Sequence, residues 1–251
     1  MYVVTDVNRG GQPAQRRLPR AVLVDLDDTI VDGSAVVDCW VDACECCAPV
    51  IDPARVLSEI LALRDWFWSD PERHRVGRLD LSAARRHLAR LALANLGRND
   101  EALAAEIAER YDECREARTA LFPGAVDTLA WLRAAGCRLA LVTNGAAEAQ
   151  RAKIARFRLD PLFDAIFVEG ELGFGKPDER IYELALTVLS VVPRETWMIG
   201  DNLEWDVGQP QKLGMTGIWV DATGAGLPAA SAIRPDLVVR GLAELRDRVG
   251  G

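Results

Sequence analysis

The sequence predicts an α/β protein built on a doubly wound parallel sheet, with an all-helical unit inserted into it. Two observations carry this prediction. The apolar runs Ala21-Val22-Leu23-Val24, Leu139-Ala140-Leu141-Val142 and Trp197-Met198-Ile199 each break off into polar or acidic residues, as strands buried on both faces of a parallel sheet do. Helical patterning alternates with the later runs, whereas the long stretch between the first run and the second carries helical patterning alone.

Taken in order, residues 1–19 contain Gly10-Gly11 and several arginines but no apolar segment long enough for a signal peptide, and read as a flexible tail. Residues 20–33 and 119–251 read as one α/β core, and 34–118 as the helical insert. Within the insert, helices are expected at 34–47, 53–68, 82–96 and 100–118, with Pro53 tolerated in a first turn and Gly97 acting as a stop. Residues 69–78 read as a basic loop. In the core, helices at 125–135, 146–157 and 179–191 separate the strands, and 216–220 and 237–239 read as late strands. Pro210 delays the next helix to Gln209 or beyond, which leaves Asp206 on a loop.

The chemistry gathers where the strands end, as it does in open α/β sheets. The first run delivers Asp25, Asp27 and Asp28 within four residues. Acids crowded at the edge of a core repel one another unless a cation offsets them, so this spacing asks for a metal; a plain Asp turn is the alternative. The second run ends in Thr143-Asn144-Gly145, a hydroxyl followed by a tight turn whose N–H groups suit an anion. Lys176 lies in Gly173-Phe174-Gly175-Lys176-Pro177, where the glycines permit close approach and Pro177 disfavours helix at the lysine. The third run leads into Gly200-Asp201, with Asp206 five residues on.

As an ordered set, these four segments resemble the motifs of the haloacid dehalogenase (HAD) superfamily, in its phosphatase branch with a helical cap of the C1 type. The resemblance implies a Rossmann-like core and a Mg2+-dependent phosphohydrolase that cleaves a small phosphomonoester. Asp25 would be the nucleophile that forms an aspartyl phosphate, and Asp27 the acid that protonates the leaving oxygen and later the base that activates water. Asp25, Asp201 and the backbone carbonyl of Asp27 would hold Mg2+, with Asp206 acting through a water. Thr143, Asn144, Gly145 and Lys176 would bind the phosphoryl oxygens, with Thr143 and Lys176 also counted as catalytic.

Other branches fit less well. Phosphonate hydrolases of the superfamily need a cap lysine, and no lysine precedes Lys153. Haloacid dehalogenases lack the second aspartate that Asp27 supplies. Sugar phosphomutases keep every motif and are the enzymatic alternative; a non-catalytic binding protein on the same scaffold is the non-enzymatic one.

Substrate choice is assigned to the insert, where Arg73, His74, Arg75 and Arg78 are candidates for a second anionic group and Trp66 or Trp68 for stacking. Only three residues are lysine; Lys153 and Lys212 are expected on the solvated surface. Asp28 is expected to be structural, and Trp205 and Phe174 to pack beside the site. Cys39, Cys44, Cys46 and Cys47 match no zinc spacing and read as small buried residues, with all six thiols reduced in a cytoplasmic protein. A net charge of −8 argues against nucleic-acid or anionic-membrane partners and for a small phosphorylated metabolite, and no stretch is apolar for the length of a membrane span. The sequence leaves the oligomeric state open.

Overall fold

A computed structural model describes residues 18–249. The tail expected over 1–19 therefore lies outside the described residues, except for its last two. Leu18 packs against the core, and the Pro19 carbonyl accepts a hydrogen bond from the Cys137 thiol.

The chain opens with β1 (Ala21–Val24) and the short β2 (Val31–Asp32). A helical unit follows: α1 (Val36–Cys44), extended by a 3-10 turn to Cys47, then α2 (Pro53–Ser69), α3 (Pro71–Gly77), α4 (Leu81–Asn95) and α5 (Glu101–Arg118). Next come β3 (Ala120–Leu121), α6 (Ala125–Ala134), β4 (Arg138–Thr143), α7 (Ala147–Arg156), β5 (Ala165–Val168), α8 (Glu169–Leu172), α9 (Glu179–Val188) and β6 (Thr196–Gly200). A wide π turn over Leu203–Gly208 runs into α10 (Gln209–Lys212), and β7 (Thr216–Val220), β8 (Leu237–Val239) and α11 (Leu242–Val249) complete the described chain.

Six strands form one parallel sheet in the order β5-β4-β1-β6-β7-β8. Alternate residues of β1 bury on opposite faces. Val22 and Val24 join Leu129, Leu132, Ile199 and Leu245 on one side, while Ala21 and Leu23 join Val142, Ile181, Tyr182 and Met198 on the other. Burial on both faces explains why the strand shows no alternation in sequence. Because β1 lies between β4 and β6, the crevice at its carboxyl end is flanked by two further strand ends, at the point where the strand order reverses.

β2 and β3 pair antiparallel, Val31 opposite Leu121 and Asp32 opposite Ala120, so the helical unit leaves and re-enters the core through a two-stranded neck. Its own core packs α1, α2, α4 and α5 around Trp40, Val56, Ile60, Leu93 and Ile107. The Trp40 and Tyr111 rings stack at 3.9 Å.

Three local expectations are corrected. Residues 71–77 form a helix rather than a loop, because Pro71 suits a first turn and the Asp70 carboxylate caps it by accepting from Arg73 N at 2.8 Å. Asp206 sits in a helical turn rather than a loop: Asn202 caps that turn by accepting from Glu204 N and Trp205 N, and Pro210 falls in the first turn of α10, where it needs no hydrogen. Cys39 and Cys114 are joined in a disulfide, since α1 and α5 bring their Cα atoms to 5.5 Å. Cys44, Cys46, Cys47 and Cys137 are free.

Candidate active site

The carboxyl ends of β1, β4 and β6 set Asp25, Thr143 and Asp201 at one edge of the sheet, around a cavity of about 400 Å3. That volume lies within the range of about 300–1,000 Å3 usual for small-ligand sites. At its floor, Lys176 Nζ donates to Asp25 Oδ1 at 2.7 Å and to Asp206 Oδ1 at 2.6 Å. The Lys176 side chain is 2% exposed and that of Asp206 is fully buried. Burying the ammonium disfavours its charge, but the two carboxylates outweigh that cost and hold its pKa above the ordinary lysine value.

The lysine is aimed by its backbone. Asn144 accepts from Lys176 N at 2.8 Å and donates to Lys176 O at 2.7 Å, and a Cβ at Gly175 would meet Asn144 Oδ1 at 2.5 Å. Asp206 is fixed in turn by Asn202 N, and a Cβ at Gly200 would overlap its carboxylate.

Asp25, Asp201 and Asp206 each present a carboxylate oxygen within 4.8 Å of the others. Burial raises Asp25 to about 7 and Asp201 to about 8, the neighbouring acids adding to it and Lys176 opposing it. Three acids against one ammonium leave an excess of two negative charges when all are ionised, which a divalent cation would offset. Among the described residues, this trio is where a metal ion fits.

Asp27 lies on the wall of the same cavity, held by a partner that sequence reasoning placed on the surface. Lys153 Nζ reaches its two oxygens at 2.5 and 2.6 Å. The Lys153 side chain is only 24% exposed, because α7 turns it and Gln150 toward Asp27. Gln150, one turn earlier, places Nε2 at 2.9 Å from Asp27 Oδ2, 2.6 Å from Thr143 Oγ1 and 2.6 Å from Asn144 O. Lys212, by contrast, is an exposed side chain whose hydrogen bond among the described residues is to Gln209. Asp28 accepts from Gly33 N at 3.0 Å and shapes the turn before α1.

The structure brings Asp25, Asp27, Thr143, Asn144, Lys176, Asp201 and Asp206 to one cavity. Gly145 stands apart from them, for its N–H donates to Glu169 Oε2 at 2.9 Å. Glu169, at the end of β5, also receives Arg78 through Nε at 2.7 Å and Nη2 at 2.6 Å, a bidentate pair tying the helical unit to the core. His74 contacts Arg78 at 3.1 Å and lies edge-on to Trp205 at 5.3 Å; burial and the Arg78 charge depress its pKa. His74 and Arg78 line the cavity together with Trp68 and Trp205. Arg73 is turned away, donating to Trp66 O at 2.7 Å and stacking on that ring, and exposed Arg75 pairs with Glu72. Phe174 lies under Arg180, outside the cavity.

Gln150, Lys153 and Glu169 were missed in the sequence, as were the cavity-lining Arg64, Arg85, Arg115, Trp40 and Tyr111. Two of them had signals: Glu169 follows an apolar strand run as Asp25 does, and Lys153 is a lysine in an arginine-rich chain.

Comparison with known proteins agrees with this geometry. Residues 19–212 match the model of the haloacid dehalogenase-like hydrolase family. The chain is 39% identical over 143 residues to a phosphoserine phosphatase of Thermus thermophilus, a match covering 57% of this chain and 56% of that protein. It is 26% identical over 198 residues to a glyceraldehyde 3-phosphate phosphatase of Methanocaldococcus jannaschii, covering 78% and 82%, and 36% identical over 109 residues to an N-acylneuraminate-9-phosphatase of Rattus norvegicus, covering 43% and 44%. Among solved structures, a HAD hydrolase of Bacillus subtilis bound to magnesium shares the fold with a TM-score of 0.72 at 22% identity, over 94% of this chain and all of that one. The L-2-haloacid dehalogenase of Xanthobacter autotrophicus gives 0.62 at 26% identity, over 93% and 99%.

Proposed function

Since this chain belongs to the haloacid dehalogenase-like hydrolases, we propose that it is a Mg2+-dependent phosphohydrolase acting on a small phosphomonoester, with an aspartyl phosphate on Asp25 as intermediate. The observation that carries the reading is the buried Asp25 carboxylate, fixed by Lys176 at the end of the central strand with Asp27 two residues beyond it.

Asp25 attacks phosphorus; its new O–P bond replaces the ester O–P bond, and the departing oxygen takes a proton from Asp27. Asp27 then removes a proton from the water that displaces Asp25 and releases phosphate. Lys176 orients Asp25 and offsets charge between nucleophile and phosphoryl group, while Thr143 Oγ and Asn144 N–H serve the equatorial oxygens. Gly145, already donating to Glu169, serves this loop by its shape. Mg2+ would be held by Asp25, Asp201 and the Asp27 carbonyl, with Asp206 behind a water, and would supply charge neutralisation on the phosphoryl oxygens. Gln150 and Lys153 hold the Asp27 carboxylate against the cavity wall. The helical unit serves as the cap that excludes water.

The test is release of inorganic phosphate from p-nitrophenyl phosphate and a phosphometabolite panel that includes phosphoserine, glyceraldehyde 3-phosphate and N-acylneuraminate 9-phosphate. Activity is expected with Mg2+, and none with chelator or in Asp25→Asn. A wild-type protein that turns over no phosphomonoester refutes the reading, and phosphate moved within a sugar without net release would make it a mutase.

A further inference from the structure

We infer that the helical wall of the cavity is a subsite for a second anionic group of the substrate, a carboxylate or a second phosphate, with Arg64 as its principal ligand. The inference rests on the phosphohydrolase reading for the position of the reacting phosphoryl group, and on separate observations for the rest.

Besides Arg78, which Glu169 holds, three guanidinium side chains line the wall from three different helices: Arg64 on α2, Arg85 on α4 and Arg115 on α5. Two have acceptors in the protein. Arg85 pairs with Asp112, and Arg115 Nη1 donates to Gly33 O at 2.8 Å. Half-buried Arg64 has neither a hydrogen bond nor an ion pair among the described residues. All three lie close enough to buried Tyr111 for their charges to favour its ionised form, although burial still leaves its pKa raised.

Cations gathered in a partly enclosed space repel one another and are poorly hydrated; Asp112 pairs with Arg85 and the Asp28 charge acts on Arg115, so Arg64 is the one of the three without a carboxylate partner among the described residues. An incoming anion relieves both costs, and a guanidinium with its donors uncommitted is the group that accepts a carboxylate or phosphate through two parallel hydrogen bonds. The helical unit also lines the cavity with apolar surface, from the stacked Trp40 and Tyr111 and from Val36 and Leu88. Such a surface suits the carbon skeleton of a substrate with its phosphoryl end at Asp25 and its second anion at Arg64, residues that line the same cavity. Arg73 and Arg75, the arginines that stand out in the sequence, are committed to Trp66 and Glu72.

The experiment uses matched esters. 3-Phosphoglycerate against glycerol 3-phosphate isolates a carboxylate, and fructose 1,6-bisphosphate against fructose 6-phosphate isolates a second phosphate. In at least one pair the doubly anionic ester should have a kcat/KM on the order of tenfold higher or more, the scale of a hydrogen-bonded charge. Arg64→Met, which keeps the aliphatic stem, should erase that preference through KM while leaving p-nitrophenyl phosphate within about twofold, and Arg64→Lys should keep part of it. Calorimetric binding of the same esters to Asp25→Asn, with and without Arg64→Met, reads the subsite without turnover. If no ester is hydrolysed yet binding favours the double anion through Arg64, the phosphohydrolase reading fails and the subsite stands. If wild type treats both members of each pair alike, or Arg64→Met weakens both equally, the subsite is refuted.

Discussion

The two walls of the cleft are built on opposite principles. On the core wall the charges of Lys176, Asp25, Asp206 and Asp27 have fixed partners: Lys176 spans Asp25 and Asp206, Asn144 grips the Lys176 backbone, Asn202 N holds Asp206, and Lys153 and Gln150 hold Asp27. On the helical wall, aromatic side chains stand among arginines, and Arg64 has no hydrogen bond or ion pair among the described residues. Preorganised charge is what a transition state rewards, whereas adaptable charge on a movable element suits recognition. On the proposed reading, the difference separates catalysis from recognition within one cavity.

The largest expected effect breaks the core wall. Lys176→Met leaves two buried acids facing each other without their ammonium. Removing one partner of a buried ion pair costs about 3–5 kcal/mol, reduced where the acids can protonate instead. Phosphate release should fall by on the order of a thousandfold or more, and the urea midpoint should drop with it. Arg64→Met should move stability by no more than about 0.5 kcal/mol, the usual range for a substitution that breaks no partnership. Equal losses of stability in the two variants would erase the contrast between the walls.

Next is the joint between them. Arg78 of the helical unit and Glu169 of the core meet with side chains 15% and 7% exposed, so their bond is little screened. A double-mutant cycle with Arg78→Met and Glu169→Gln should give a coupling of about 1–3 kcal/mol in urea unfolding. Glu169→Gln should also slow catalysis by loosening Gly145. A coupling near zero would mean that the helical unit rests on the core without being tied to it.

The same contrast governs what could be read without a structure. Asp25, Thr143 and Asp201 were legible because a buried strand and the residue it delivers are neighbours in the chain, and Lys176 because glycines and a proline flank it. Lys153 was misjudged because its partner Asp27 lies 126 residues away, and a helix surface facing a strand end looks in sequence like any other. Arg64, Arg85 and Arg115 belong to three helices whose convergence is a matter of packing, so no spacing could announce them. Arg73 and Arg75 drew notice for their density, but local acceptors, the Trp66 carbonyl and Glu72, claimed them. Asp206 and the strands Thr216–Val220 and Leu237–Val239 were located, while the π turn around Asp206 was not, because it depends on Asn202 capping and Pro210 acting together.

A smaller effect concerns pH in the metal-free protein. Folding raises Asp25 to about 7 and Asp201 to about 8 from an unperturbed 3.8, so the folded state binds more protons than the unfolded one between those values. The stability they contribute is fully present below about pH 4 and is lost as pH rises through 7 and 8. Unperturbed carboxylates titrate at about pH 4, so the window to examine is pH 5.5 to 9. There the Tm without metal should fall, and Mg2+ should raise Tm more at pH 8.5 than at pH 5.5, because binding requires the deprotonated acids. A pH-independent Mg2+ effect would count against Asp25 and Asp201 as ligands.

The smallest effect tests the joint from the helical side. His74 touches Arg78, and burial together with that guanidinium holds its pKa below the ordinary 6.5. A depressed histidine contributes stability that is present above about pH 6.5 and lost as pH falls through its folded-state value, because protonation sets a second cation against Arg78. The Arg78–Glu169 coupling should therefore weaken between pH 6.5 and 5 in the wild type and stay level in His74→Gln, measured by the same double-mutant cycle at both pH values. The change should be a fraction of the coupling itself, since the half-exposed ring can turn toward solvent. A cycle that weakens equally in His74→Gln would assign the acid sensitivity to Glu169 and leave His74 as packing against Trp68 and Trp205.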